Sequence, residues 1–243
     1  MLKKIVLLII SGLNLTACTV LIEPSTTATD FALYKTNNVL IDPATNITNF
    51  SLYKAKSWVR AYHESGAYLE EVSKIAQDAQ NYLDQRLREG INKPAIVFDV
   101  DETLLSNYEY LDKQVDFAYQ KQLNVANEHL RNDLPPLTPV VDLCRYALNH
   151  QVSVFIITGR FERRKSATEA NLKKIGCEGY RDIYFRETSE EILPAADYKT
   201  AERKVITDEG YQILVNIGDQ ESDLRGGYAE KTFKLPNDMY LIP

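Results

Sequence analysis

From Ser51 to Glu89 apolar side chains recur at three- and four-residue steps, through Trp58, Tyr62, Leu69, Val72, Ala76 and Leu83. That spacing predicts amphipathic helix, broken at Gly66 and ended at Gly90. The pattern then changes. Ala95 to Phe98 and Val152 to Ile157 are continuous apolar runs, the signature of parallel strands buried on both faces. Asp182 to Phe185 and Gln212 to Ile217 supply two more strands. Helical spacing is expected over most of Leu104–Leu134, over Val140–Asn149, over Glu162–Ile175 before Gly176, and over Tyr198–Glu209 before Gly210. Strands alternating with helices imply βαβ units, hence an α/β fold with a parallel sheet between two helical layers. In such sheets ligands bind beyond the carboxyl ends of the strands.

The first fifty residues read differently. Met1-Leu2-Lys3-Lys4 is a basic start, and Ile5 to Leu13 is an apolar run too short to span a bilayer. It leads into Leu15-Thr16-Ala17-Cys18, which looks like a bacterial lipobox with Cys18 as the lipidated residue. The expected organisation is therefore a lipoprotein signal over 1–17, a Thr-, Asn- and Pro-rich tether over 18–50, and one domain over 51–243. Thr19, not aspartate, follows the cysteine, which by resemblance to such lipoproteins favours the outer membrane facing the periplasm. Two or more acyl chains would hold the chain there stably. Cys144 and Cys177 remain, and an oxidising compartment permits their pairing; two buried thiols are the stronger expectation. A net charge of −6 argues against a protein that coats nucleic acid.

The chemistry sits where the strands end. The first strand runs into Asp99-Val100-Asp101-Glu102-Thr103. Strand alternation turns Asp99 and Asp101 to the same side. One carboxylate can attack phosphorus, and a second can protonate the leaving oxygen and then deprotonate water. A turn-forming or helix-capping role accounts for one aspartate, not for two followed by Glu102 and Thr103. The second strand delivers Thr158-Gly159-Arg160, a hydroxyl and a glycine N–H at the head of a helix that could cradle phosphate; the same pair is also an ordinary cap, and the role of Arg160 is open. Lys199 falls in the expected first turn of its helix, against the dipole, which suits a cation needed for a phosphate. The fourth strand delivers Asp219 and Asp223, four apart and so on one helical face. So many carboxylates at one sheet edge require a cation. Oxygen ligands without His or Cys in these segments point to Mg²⁺.

FDVDETLLSN, ITGR, YKTAER, NIGDQESDL and the tail TFKLPNDMY, in this order, resemble the haloacid dehalogenase (HAD) superfamily, and within it the class IIIB acid phosphatases, which include plant vegetative storage proteins and relatives of secreted bacterial phosphatases. The similarity runs from about Trp58 to Tyr240. It implies a Rossmann-like three-layer sandwich with a small helical roof. It also implies Asp99 as nucleophile, Asp101 as acid/base, and Thr158, Gly159 and Lys199 as phosphate contacts. Mg²⁺ would be held by Asp99, the Asp101 carbonyl, Asp219 and Asp223. Some storage members lack the nucleophile; Asp99 is present here. The implied activity is hydrolysis of small phosphomonoesters, nucleotides among the candidates, with transfer to an alcohol or a non-catalytic storage role as alternatives. Tyr108, Tyr110 and Tyr119 in the expected roof could stack on a base or pack helix on sheet, and the second reading is the stronger. Crowded carboxylates should raise a pKa, giving an acidic optimum if Asp101 must be protonated.

Overall fold

The computed structural model describes residues 47–117, 133–187 and 193–242. Cys18, the tether up to residue 46 and Tyr119 lie outside them, and residues 47–50, expected as the end of the tether, are helical instead. No helix among the described residues is long and apolar enough to cross a membrane. The chain divides into two units, 1–55 and 56–243; of the first, only the opening turns of α1 (Ile47–Glu64) are described.

The second unit is built on five parallel strands: β1 (Pro94–Phe98), β2 (Ser153–Phe161), β3 (Asp182–Arg186), β4 (Gln212–Gly218) and β5 (Lys231–Lys234), in the order β3-β2-β1-β4-β5. Alternation explains why β1 and β2 read as unbroken apolar runs. Ile96, Phe98, Val154 and Ile156 join a core with α2 (Ala67–Arg88), α4 (Thr138–Asn149) and α5 (Lys165–Lys174). Ala95, Val97, Phe155 and Ile157 point the other way, onto Tyr198 and Ile206 of α6 (Ala195–Asp208). Helices thus cover both faces, as expected of an α/β sandwich. Burying a side chain such as Phe98 or Ile156, both fully buried, stabilises the fold by about 1.5–3 kcal/mol each.

Several expectations need correction. β5 is an additional strand: in Lys231-Thr232-Phe233-Lys234 only Phe233 is buried, so no apolar run announces it. In the Leu104–Leu134 stretch the described helix is the short α3 (Tyr108–Lys113). β2 continues through Thr158 and Arg160 to Phe161, which pairs with Arg186. A 3₁₀ turn over Glu162–Arg164 follows before α5 starts. Cys144 and Cys177, both buried, form a disulfide with Cα atoms 6.1 Å apart, not two thiols. The bond ties α4 to the segment entering β3, two places that a 33-residue separation hides from sequence.

Candidate active site

β1 hands the chain directly to Asp99, whose N–H donates to the Ile217 carbonyl of β4 at 3.1 Å. β4 ends at Gly218 and is followed by Asp219. Beside them α6 presents Lys199, whose Nζ donates to Asp99 Oδ1 and to Asp223 Oδ1, both at 2.6 Å. Helix α6 begins at Ala195, three residues earlier than the spacing suggested, so Lys199 lies past its first turn. What places a cation there is therefore the pair of carboxylates, not the helix end.

Asp99, Asp219 and Asp223 are all buried, with candidate ligand oxygens within 4.8 Å of one another. Asp219 and Asp223 do not meet through helical spacing. The short α7 (Glu221–Leu224) starts after Asp219, and a capping box joins Gln220 to Asp223, whose Oδ2 accepts the Gln220 N–H at 2.8 Å. That return needs Gly218, since a Cβ there would lie 2.5 Å from the Asp223 Cβ. Fully buried Arg203, one turn beyond Lys199, donates to the Asp223 carbonyl at 2.6 Å and the Gly227 carbonyl at 2.9 Å, and so holds the same turn. Lys199 and Arg203, four apart, were a legible sign of a buried cationic helix face.

Burial pushes the Asp99 carboxyl well above its usual range; Lys199 opposes this, and Asp223, Asp219 and Asp101 reinforce it. Burial, then the charge of Asp223, raises Asp219 to about 7. Burial disfavours the Lys199 cation, yet Asp223 and Asp99 outweigh it and hold Lys199 above its ordinary value. Three carboxyl groups with a single cation among them, Lys199, which bonds two of the three, make a site short of positive charge. The donor set is all carboxylate, and it fits a hard divalent ion such as Mg²⁺.

Asp101 has different partners. Buried Arg160 forks onto it, with Nε to Oδ2 at 2.9 Å and Nη2 to Oδ1 at 2.7 Å, and Asn107 Nδ2 adds a bond to Oδ1 at 2.8 Å. Burial alone would raise its pKa; Arg160 and Asn107 overcome that and leave it at about 2. The raised pKa expected of crowded carboxylates falls on Asp99, Glu102 and Asp219, and not on Asp101, because a bidentate guanidinium is already in place there. Arg160 Nη1 also donates to Thr168 Oγ1 at 2.9 Å, which fixes the fork from behind.

Glu102 is fully buried with a left-handed backbone, φ +54°, uncommon for a side chain of this size. The turn closes on the Val100 carbonyl, which accepts the N–H groups of Leu104 and Leu105 at 3.0 and 2.9 Å. Glu102 Oε1 accepts the Asn107 N–H at 2.6 Å, and Oε2 accepts the Tyr240 hydroxyl. Burial, then Asp101, raises it to about 7.

Thr158 is buried, and its Oγ1 accepts the Arg160 N–H at 3.2 Å. Gly159 is exposed, inside β2, and a Cβ added there would meet nothing within 4 Å. The pair therefore stands on a strand end, not at a helix head, because β2 keeps pairing with β3 beyond Ile157. Arg164, on the turn that follows, has Nε and Nη2 buried without a hydrogen-bond partner among the described residues. Burial lowers its pKa to about 10, with Asp101 opposing.

His63 of α1 lies between two tyrosines. Its ring centroid is 3.9 Å from that of Tyr108, with planes 2° apart, and 4.0 Å from that of Tyr68. One face of Tyr108 is thus already covered, which favours its packing role. Arg60 ties α1 to the α3 region through Asp112 at 2.5 Å and Asp116 at 2.7 Å.

The family model described as "HAD superfamily, subfamily IIIB (Acid phosphatase)" matches residues 25–243. Acid phosphatase 1 of Solanum lycopersicum is 31% identical over 187 residues, 76% of this chain and 73% of the relative. The stem 28 kDa glycoprotein of Glycine max is 30% identical over 187 residues, 75% of this chain and 73% of the relative. Among solved structures, the class C acid phosphatase of Bacillus anthracis superposes with a TM-score of 0.63 at 21% identity, over 79% of this chain and 85% of that one. This likeness concerns the fold.

Proposed function

The chain belongs to the HAD superfamily, subfamily IIIB acid phosphatases, and we propose that it cleaves small phosphomonoesters by two in-line transfers, first to Asp99 and then to water. That it is a phosphomonoesterase follows from the family. The observation that carries the proposed division of labour is the buried Lys199 bridging Asp99 and Asp223, with Asp219 beside them. Asp99 attacks phosphorus and becomes phosphorylated as the ester oxygen departs. Water then attacks the aspartyl-phosphate, regenerating Asp99 and releasing inorganic phosphate.

Lys199 neutralises charge on the nucleophile and on the transferring group. Asp99, Asp219 and Asp223, with the Asp101 carbonyl, would hold Mg²⁺, which supplies further charge neutralisation and orients the phosphoryl oxygens. Thr158 contacts a phosphoryl oxygen. Asp101, kept ionised by Arg160, is ready as the base that takes a proton from water. To serve as acid toward the leaving oxygen it must first be released by Arg160 and take up a proton from solvent, and a bound phosphate offers that guanidinium a competing anion. Arg164, with two N–H groups lacking acceptors among the described residues, adds positive charge to the same side.

The test is Asp99→Asn assayed on p-nitrophenyl phosphate with Mg²⁺ present. Turnover should vanish, and substantial residual activity would sink the mechanism. We propose further that the protein is exported and lipid-anchored at Cys18, a reading that the Cys144–Cys177 disulfide supports, since such bonds persist in oxidising compartments. Mass spectrometry of the mature N-terminus decides it: an unmodified Cys18 in membrane-fraction protein refutes the anchor.

A further inference from the structure

The C-terminal segment, Leu235 to Ile242, has no part in the chemistry above, yet it reaches both halves of the site. It leaves β5 with the Leu235 N–H bonded to the Gly218 carbonyl at 2.9 Å and the Leu235 side chain fully buried. Two residues on, Asn237 Nδ2 donates to Asp219 Oδ2 at 2.7 Å. Asn237 is itself held, since its Oδ1 accepts the Met239 N–H at 2.9 Å. Gln220 Nε2 donates to Asp219 Oδ2 at 2.6 Å, while Gln220 Oε1 accepts the Ile242 N–H at 2.9 Å. The tail therefore grips Asp219 directly and again through Gln220.

The other contact runs to Asp101. Tyr240 donates its hydroxyl to Glu102, and Asn107 Nδ2 lies between Glu102 Oε2 at 3.2 Å and Asp101 Oδ1 at 2.8 Å. Each link is a polar group inside the fold whose rotamer is fixed by its partners. A left-handed, buried glutamate is a costly place to keep a charge-bearing side chain. The tyrosine and the asparagine give it a purpose: they hold it as the joint between the catalytic loop and the tail.

We infer that the C-terminal segment is a positioning strap, in which Tyr240 orients Asp101 through Glu102 and Asn107, and Asn237 orients Asp219. The inference rests on the proposed roles of Asp101 and Asp219. Strap residues touch neither substrate nor reacting atoms. Their effect belongs in turnover and in ion affinity, where groups that hold the ligands in place typically matter by about 10–100-fold. A purely structural tail would act through Leu235 and lower stability instead.

The experiment uses the full chain with Tyr240→Phe, Asn237→Ala, Glu102→Gln and Glu102→Ala, on p-nitrophenyl phosphate with Mg²⁺. Tyr240→Phe keeps the ring and removes one hydroxyl; kcat should fall roughly tenfold with KM within about twofold and an unchanged Tm. Glu102→Gln, whose single amide oxygen can still accept from Tyr240 and Asn107 Nδ2 while the acceptor for the Asn107 N–H is lost, should keep more turnover than Glu102→Ala. Asn237→Ala should weaken binding of Mn²⁺ alone, measured by calorimetry, by about tenfold. Wild-type kcat in Tyr240→Phe, or a loss that tracks a falling Tm in every variant, overturns the strap. An inactive wild type would instead refute the phosphatase mechanism, and the Mn²⁺ titration would still test Asn237.

Discussion

Replacing Lys199 by methionine removes the cation from the carboxylate cluster while keeping most of the side-chain volume. Its Nζ lies 2.6 Å from one oxygen of Asp99 and of Asp223, and the three side chains are 5%, 9% and 4% exposed. Taking one partner from a buried ion pair costs about 3–5 kcal/mol, because the charge left behind is neither solvated nor paired. For a domain of this size about 1 kcal/mol moves Tm by about 2–4 °C, so metal-free Lys199→Met should melt roughly 6–20 °C below the wild type near neutral pH. The deficit must depend on pH in a stated direction. Asp99 already has a raised pKa in the fold, by burial first and by its anionic neighbours next. Without Lys199 it rises further. A carboxyl raised on folding contributes stability that is present below its unfolded value, 3.8, and is lost as pH climbs through the folded one. The deficit should therefore shrink toward about pH 4. Divalent ion should shrink it too, since the site without Lys199 has one positive charge fewer and binds the ion more tightly than the wild-type site, and a tenfold difference in Kd returns about 1.4 kcal/mol. Thermal unfolding in EDTA and in Mg²⁺, at acid and neutral pH, measures all of this. A Tm equal to the wild type in EDTA at neutral pH refutes the reasoning, as does a deficit indifferent to both acid and ion.

In the metal-free wild type, Glu102 and Asp219 are each raised to about 7, so their stabilisation is complete below 4.5 and 3.8 and is lost by about pH 7. His63, lowered to about 4 by burial, loses stability as pH falls below 6.5 and offsets one of the two. Tm in EDTA should accordingly decline from about pH 4.5 to about pH 7, and a rise over that window contradicts the assignment. Reducing the Cys144–Cys177 bond, which spans 33 residues, should cost about 3–4 kcal/mol by chain entropy; equal denaturation midpoints with and without reductant would refute this. Arg160→Gln should lower kcat by at least about tenfold, since Asp101 loses both its position and its charge partner. Steady-state kinetics checks it, and an unchanged kcat removes Arg160 from the mechanism.

Local sequence was a good guide wherever a single element carries the signal. The apolar runs ending in Asp99 and in Thr158 marked β1 and β2, because strands buried on both faces must be apolar at every position. The order of the carboxylate segments, with Lys199 between them, marked the sheet edge that would hold the chemistry. Other features stayed hidden because they arise between distant parts of the chain. Asp101 meets Arg160 across 59 residues, and that contact, not the density of carboxylates, decides its protonation. Tyr240 meets Glu102 across 138 residues. The sulfurs of Cys144 and Cys177 join only because α4 and the approach to β3 pack on the same sheet face. Asp219 and Asp223 converge through a turn that Gly218 permits, although their spacing suggested a helix. The sequence by itself determined four of the five strands, the parallel α/β layering and the carboxylates, with Lys199, at one edge. Only the tertiary structure decided which cation faces which carboxylate, because burial makes charge pairing a matter of ångströms in space, and spacing along the chain does not measure it.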